Sequence, residues 1–561
     1  MGMRFSGLTG AGLWGLFLAF GMVLLGASPK ALAVQPVVIN EFLASNGSGL
    51  KTHQGSAEDW IELYNRSTQE VDLSGWYLTD SASEPTRWQF PSGTLIEAGG
   101  YLIVFCNSCD GEPRVEGEYF ANFSLSKEGE YLALIAPDGQ TSIHEFSPAY
   151  PPQYTDISYS DAGYHLEPTP GAPNSAAYGA PPSVVSFSEP AGYREEPFLL
   201  ELSCLNPEAR IYYTLDGSIP SAASIFYEAP LRIEQITCLR AVAIREGSIP
   251  SAVSTRTWLF PEEILTQSRN PPPGWPASRT VNNQKFRYGM DPAIVSDPRF
   301  SEGIRQGMKE IDSISLVTDL GNLFDPETGI YVNAREDGEE WERPVSVELI
   351  SPRGGGEFRI DAGLRIRGSS SRSPDAPKHS LRLFFRSRYG DTLQFPLFEE
   401  EGTDEFSKVD LRTSQTWSWS GGYPYDTFIR ETFSRDSQRD MGMPYTRSRY
   451  YHLYINGQYW GLYQTQERSE AVFARTYLGG NVEDWDCLKT SYPTYATEAV
   501  DGNEKAFRAL YRIAVNEGFA GPYATNYFRI KGLKPDGTPN PFCPRYLDED
   551  NLIAYMLITY F

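Results

Sequence analysis

The stretch Gly363-Leu364-Arg365-Ile366-Arg367-Gly368-Ser369-Ser370-Ser371-Arg372 decides how the chain is read. Successive side chains of an extended segment point to opposite faces, so Leu364 and Ile366 share one face and Arg365 and Arg367 the other. The glycine and three serines that follow form a turn. Lys378 comes next, and Ser380–Phe385 returns as a second strand. Residues 351–390 carry eight arginines and Lys378 against Glu357, Asp361 and Asp375, a local net of +6. The whole chain of 561 residues has 48 Lys+Arg, 72 Asp+Glu and a formal net charge of -24, so the sign reverses here. Two guanidinium groups on one strand face, the N–H groups of a Gly/Ser loop and a nearby lysine are the groups that hold a polyphosphate. A solvated arginine face is the plainer alternative.

Further along, Tyr450–Ile455, Asn456-Gly457 and Gln458–Thr465 predict a β-hairpin, since Asn-Gly is the strongest short turn signal. Glu467 lies just past it, and Lys489 follows Trp485-Asp486-Cys487-Leu488. Asp426 opens a helix running to Asp440, which Gly442 and Pro444 end. Upstream, residues 261–312 read as a linker. Pro271-Pro272-Pro273-Gly274-Trp275-Pro276 is stiff and extended, and Asp297-Pro298 starts a short helix over Arg299–Ile311. Two β-rich blocks precede this linker. Residues 34–176 alternate short strands such as Trp60–Asn65 and Tyr101–Phe105 with Gly, Ser, Asn and Asp clusters, and residues 181–260 do the same around Ile211–Thr214 and Ala241–Ile244. The first reads as a small antiparallel sandwich.

The N-terminus reads as an address. Arg4 precedes an apolar run from Ala11 to Gly26, Pro29 ends it, and Ala31-Leu32-Ala33 has the small-residue cleavage form. Residues 1–33 are therefore expected to be a signal peptide. The mature protein is expected to be secreted or held at the cell surface, with no transmembrane span after cleavage. Six cysteines fit an oxidising compartment, and their positions suggest pairing of Cys106 with Cys109, Cys204 with Cys238 and Cys487 with Cys543. A global negative charge repels nucleic acid. Five histidines without HExxH spacing, and a lone CxxC, give no basis for a zinc enzyme. Asn40, Glu41, Asp59 and Glu62 read either as a cation site or as turn caps and strand polarity. Tyr212, Tyr227 and Trp258 read as sugar platforms or as core.

Three families share these motifs. VINEFLASN, DWIELYNRS, VDLSGWYLTD and the closing PTPGAPN resemble the lamin-tail domain, an Ig-like accessory module. IYYTLDGSIPS and LRAVAIREGSIPSAVS resemble the Ig-like domain appended to chitobiases. LRIRGSSSR, PKHSLRLFF, FPLF, VDLRTS, DTFIRETFSRD and MGMPYTRSRYYHLYINGQYWGLYQTQE resemble the CotH kinase family of atypical secreted protein kinases. The expected fold is thus multidomain: two Ig-like β-sandwiches followed by an α+β, partial protein-kinase-like domain over 313–561. The resemblance implies ATP, a divalent cation (Mg or Mn) and serine phosphorylation of a secreted protein or cell-surface component. It places Arg365, Arg367, Ser369, Ser370 and Ser371 near phosphates, has Lys378 or Lys489 neutralise them, and has Glu467 position a lysine. The family's catalytic acids lie beyond an apolar helix. Here that helix is Asp548–Phe561, so the catalytic residues are expected beyond Phe561 and the domain reads as incomplete. GxxxxGK[ST] and GxGxxG are both absent. The competing readings are a non-catalytic extracellular adhesion or envelope scaffold and, more weakly, a polysaccharide-active protein. The latter lacks a marked carboxylate pair.

Overall fold

The molecule was analysed as a computed structural model, which describes residues 36–107, 115, 117–354, 356–414, 427–491, 494–520 and 524–560. The leader, Cys109 and the start of the helix expected from Asp426 lie outside these residues. Three β-rich bodies follow one another.

In the first, strands β1 (Val37–Leu43), β2 (Asp59–Asn65) and β3 (Tyr101–Cys106) form the middle of a seven-stranded sheet. A four-stranded sheet that includes Leu132–Ile135 and Tyr77–Thr79 packs on it. Phe42, Ile61, Leu63, Leu78, Val104 and Leu134 fill the core between the sheets. The segment from Pro168 to Asn174 is fastened by buried acids. Glu41 and Glu62 sit opposite each other across β1 and β2, and both are fully buried. Glu41 accepts from the Ser158 hydroxyl and from the Thr169 N–H and hydroxyl. Glu62 accepts from Asn40 at 2.8 Å and from the Gly171 N–H. Asp59 accepts from the Asn46 N–H at 3.1 Å. The acidic group of β1 and β2 therefore clasps the closing segment of its own domain.

The second body centres on β4 (Arg210–Thr214), β5 (Thr237–Ile244) and β6 (Ser254–Leu259) in a five-stranded sheet. Trp258 is fully buried beside Phe187 and Phe198, and the Tyr227 hydroxyl bonds the Leu202 N–H, so both belong to the core. Tyr212 packs at a tilt against Phe226 at the sheet edge, ring centroids 5.5 Å apart.

The third body is a closed ring of seven strands: β7 (Ser313–Val317), β8 (Arg343–Ile350), β9 (Phe358–Arg367), β10 (Ser380–Phe384), β11 (Lys408–Arg412), β12 (Tyr450–Ile455) and β13 (Gln458–Gln466). The ring order is β7-β8-β9-β10-β11-β13-β12, and a parallel pairing of β7 with β12 closes it. Alternation sends Val345, Val347, Leu364, Ile366, Leu381, Leu383, Val409 and Leu411 into the interior. The connector does more than join bodies. Trp275, Phe286 and Tyr288 enter that interior, with Trp275 4.9 Å from Phe324 and 5.7 Å from Trp460. The connector helix, α1, spans Ser301–Glu310 and buries Met308; it starts two residues later than Asp297-Pro298 suggests because Asp297 instead accepts from the Arg299 N–H and side chain.

The second body covers the outer face of β7 and β8 through a hydroxyl ladder. Thr255 bonds Ser346 at 3.1 Å, Thr257 meets Ser315 at 2.8 Å, and Tyr193 meets Ser313 at 2.8 Å. Gly217 has φ +88°, and any Cβ there would collide with Asn456 and the Thr318 carbonyl, so the two turns meet only because it is glycine.

The expected Cys204–Cys238 and Cys487–Cys543 disulfides are not formed, and the Cys106–Cys109 pairing falls on Cys109, outside the described residues. Cys106, Cys204, Cys238, Cys487 and Cys543 are all free thiols. Cys204 bonds the Ser183 carbonyl, Cys238 faces the Thr257 hydroxyl, Cys487 points at the Ser469 carbonyl and Cys543 at that of Arg529. Each sulfur has its own local partner, so closeness in sequence did not bring a second sulfur near. Among the described residues no helix is long and apolar enough to cross a membrane.

Candidate functional site: an arginine face on the barrel

The residues that alternate with the barrel's core face outward. Their register sets two rows across the sheet. In one, Arg365 lies opposite Arg382, Arg382 opposite Asp410, and Asp410 opposite Gln466. In the next, Arg367 lies opposite Ser380, and Arg412 opposite Gln464. Helix α2 (Arg430–Asp440) lies against the end of this face through Thr432, which accepts from Gln464 at 2.6 Å.

Arg382 holds Asp410 with two bonds, at 2.6 and 3.1 Å. Arg367 brings its Nε within 3.1 Å of Asp410 Oδ2, the oxygen that the Arg382 Nη2 also bonds. Arg412 donates to Gln466 at 2.9 Å and lies 2.6 Å from Glu431. Arg435 reaches the second Glu431 oxygen at 3.1 Å. Arg468 and Lys408 share Glu470. Five guanidinium groups and one ammonium thus face three carboxylates. The imbalance registers at Arg367. Burial depresses its pKa to about 10; Asp410 opposes that fall, and the charges of Arg412, Arg382 and Arg468 deepen it. Arg367 is crowded by like charge, which an added anion would relieve.

The expected residues divide among several places. Arg367 is in this cluster. Arg365 turns to Glu342, which also holds Arg386 and Arg388, and its guanidinium lies 4.4 Å from the Phe384 ring. Ser369 and Ser370 are exposed beside Arg367, whereas Ser371 is buried and donates to the Arg367 carbonyl at 2.6 Å. The turn needs Gly368 at φ +89°, where a Cβ would press on Ser371. Lys378 projects to the barrel interior, its Nζ 3.4 Å from the Trp460 ring centroid, where burial pushes its pKa well down. Glu467 does not position a lysine: it pairs with Arg447 at 3.1 Å and takes the Tyr477 hydroxyl. Tyr477 is in reach because the chain turns back into helix α3 (Ala471–Leu478) directly after β13, and Arg447, just ahead of β12, lies across from Glu467, whose backbone N–H donates to the Arg447 carbonyl. Lys489 lies on β14 (Cys487–Ser491), a separate hairpin with β15 (Ala496–Asp501), and pairs with Glu498 at 3.5 Å.

Sequence reasoning missed Arg382, Asp410, Arg412, Glu431, Arg435 and Arg468. The signal for three of them was present, since Arg382 alternates with Leu381 and Leu383, and Asp410 and Arg412 with Val409 and Leu411. A cavity of about 50 Å³ lined by Lys408, Glu467, Arg468, Glu470 and Tyr477 adjoins the cluster. It has room for water and not for a nucleotide; the arginine side chains beside it are partly accessible.

Comparison with known families agrees with the motifs. Residues 364–558 match the CotH kinase protein family. This chain carries a CotH domain. Residues 30–149 match the Lamin Tail Domain, and residues 200–258 match the Fn3 associated family, where the sequence resembles the chitobiase-appended domain. No curated protein matches the chain. The CotH match begins at Leu364, inside β9, so the connector, β7 and β8 complete a barrel whose CotH-matching part starts in mid-strand.

Among the described residues no group of three or more His, Cys, Asp or Glu side chains is placed to hold a metal ion. The guanidinium surplus fits the phosphates of ATP. The described acids do not fit a divalent cation, and no step is derived through one.

Proposed function

We propose that this CotH-domain protein is an exported kinase of the CotH type. It would bind ATP by its phosphates on the outer barrel face and transfer phosphate to serine on a surface or secreted protein. The observation that carries the reading is the surplus of positive charge around Arg367, on a chain of net charge -24. Bound ATP would supply the phosphoryl group. Arg367, Arg382 and Arg412 would orient the phosphate chain and neutralise the charge that spreads over its oxygens during transfer. Ser369 and Ser370, exposed at the end of β9, would line the same edge. No described residue is assigned as the acceptor of the serine proton. The leader and export remain part of the proposal, on the strength of residues 1–33 alone.

The test is titration of the full chain with ATP, with and without Mg, followed by transfer of a labelled phosphate to protein. Micromolar to millimolar binding that competes with inorganic tripolyphosphate supports the reading. Absence of binding under both conditions overturns it.

A further inference from the structure

Two of the three carboxylates that meet the guanidinium cluster, Asp410 and Glu431, differ in how they are held. Asp410 belongs to β11, bonded on both sides within the barrel wall. Glu431 belongs to the first turn of α2, a helix that buries one residue, Arg435. Ile429 at the N-terminal end carries no side-chain cap bond. The side-chain bonds that fasten α2 to the barrel are polar: Glu431 to Arg412 at 2.6 Å, Thr432 to Gln464 at 2.6 Å and to the Tyr450 hydroxyl at 3.0 Å, Arg435 to Ser448 at 3.3 Å, and Arg439 to Glu401 at 3.3 Å, while Phe428 just ahead of the helix packs on the Tyr450 ring at 5.5 Å and α2 also touches the helix Glu549–Tyr560. An element held by polar contacts, with little apolar burial, opens at low free energy. The Asp410 carboxylate cannot leave without breaking the sheet, whereas the Glu431 carboxylate can.

Resting on the phosphate reading above, we propose that Glu431 is a built-in counterion that occupies Arg412 until a polyphosphate replaces it. The incoming anion takes over the Arg412 guanidinium and repels the carboxylate, and the start of α2 moves off the barrel with it. Glu431 then competes with the ligand, so the resting chain binds anions more weakly than its arginines alone would. The exchange needs no covalent chemistry: one ion pair is lost and another forms on the same Nη2 group.

The experiment compares the full wild-type chain with Glu431→Gln by calorimetric titration with inorganic tripolyphosphate and with Mg-ATP. It also follows hydrogen exchange at residues 430–440 with and without tripolyphosphate. Glu431→Gln is expected to bind tripolyphosphate about 3- to 10-fold more tightly, the scale of a partly exposed ion pair. In the wild type, the amides at the start of α2 are expected to exchange faster once the ligand is bound. Wild-type binding as tight as, or tighter than, that of Glu431→Gln overturns the inference alone, as does stronger protection of α2 in the complex. Binding by neither protein overturns the phosphate reading and this inference together. Should Glu431→Gln fail to fold, the exchange measurement on the wild type decides by itself.

Discussion

The lamin-tail sandwich buries acids and the CotH barrel gathers bases, and the two regions settle their charges in opposite ways. Around Glu41 and Glu62, each carboxylate meets hydroxyl, amide or backbone N–H donors from the segment it clasps. The polar groups are matched inside the domain. Around Arg367, six cationic groups meet three carboxylates, and burial lowers the Arg367 guanidinium pKa, a fall that the neighbouring arginines deepen. A matched buried network serves the fold. An unmatched cluster on a partly open face serves a ligand.

The largest expected effect breaks the matched side. Glu41→Ala leaves the Ser158 hydroxyl and both Thr169 donors without their acceptor in a buried site. The cost is about 3 kcal/mol of sandwich stability, read as a lowered melting transition, while anion binding at the barrel stays unchanged. A loss below about 1 kcal/mol would mean water replaces the carboxylate and the clasp is weaker than its geometry.

The unmatched side predicts the reverse. Arg367→Ala is expected to weaken tripolyphosphate binding about 10- to 100-fold, the range for a charge-assisted contact. Its melting temperature should hold or rise slightly, because Arg382 keeps Asp410 and a crowded charge has gone. A steep fall in stability with binding intact would make the arginine face a structural feature like the acid clasp.

A third prediction lies on the joint between the second body and the barrel. Glu348 is buried there, 3.9 Å from Arg256, with one oxygen lacking any hydrogen-bond partner. Burial pushes its pKa up to about 7 from 4.5, against hydrogen bonds from Thr257 and the charge of Arg256. The folded state therefore binds this proton more tightly than the unfolded one. Stability from this group is full below pH 4.5 and is lost as pH rises through about 7. Stability of the barrel should drop by on the order of 3 kcal/mol across that window, and Glu348→Gln should flatten the profile. An unchanged profile in Glu348→Gln would place the titrating group elsewhere.

Much of this comparison could be read from the residues, and the part that could not has a definite cause. Period-two alternation placed Leu364 and Ile366 against Arg365 and Arg367, and Asn456-Gly457 marked its hairpin. Alternation says which face a side chain takes and not which strand lies beside it. Arg365 and Arg367 share a face, yet Glu342, just ahead of β8, reaches Arg365 from 23 positions away while β11 brings Asp410 to Arg367. Trp275 sits in a proline-rich run that reads as extended, which is silent on where the ring lands. The cysteines misled for the same reason, because spacing in sequence carries no distance in space.

The smallest effect separates the two lysines that sequence reasoning offered as phosphate ligands. Lys489 stands on the β14–β15 hairpin, more than half exposed, paired with an equally accessible Glu498. Exposed pairs of this kind contribute about 0.5 kcal/mol or less. Lys489→Ala should therefore leave melting nearly unchanged and tripolyphosphate binding within about twofold of wild type. Lys378 differs in kind: its ammonium rests on Trp460 inside the barrel, so Lys378→Ala removes a cation–π contact and opens space beside an indole. That variant should lose about 1–2 kcal/mol of stability with only a secondary change in anion affinity. A tenfold loss of tripolyphosphate binding in Lys489→Ala, with Arg367→Ala unaffected, would move the anion site from the barrel face to the hairpin and reverse the contrast between matched acids and unmatched bases.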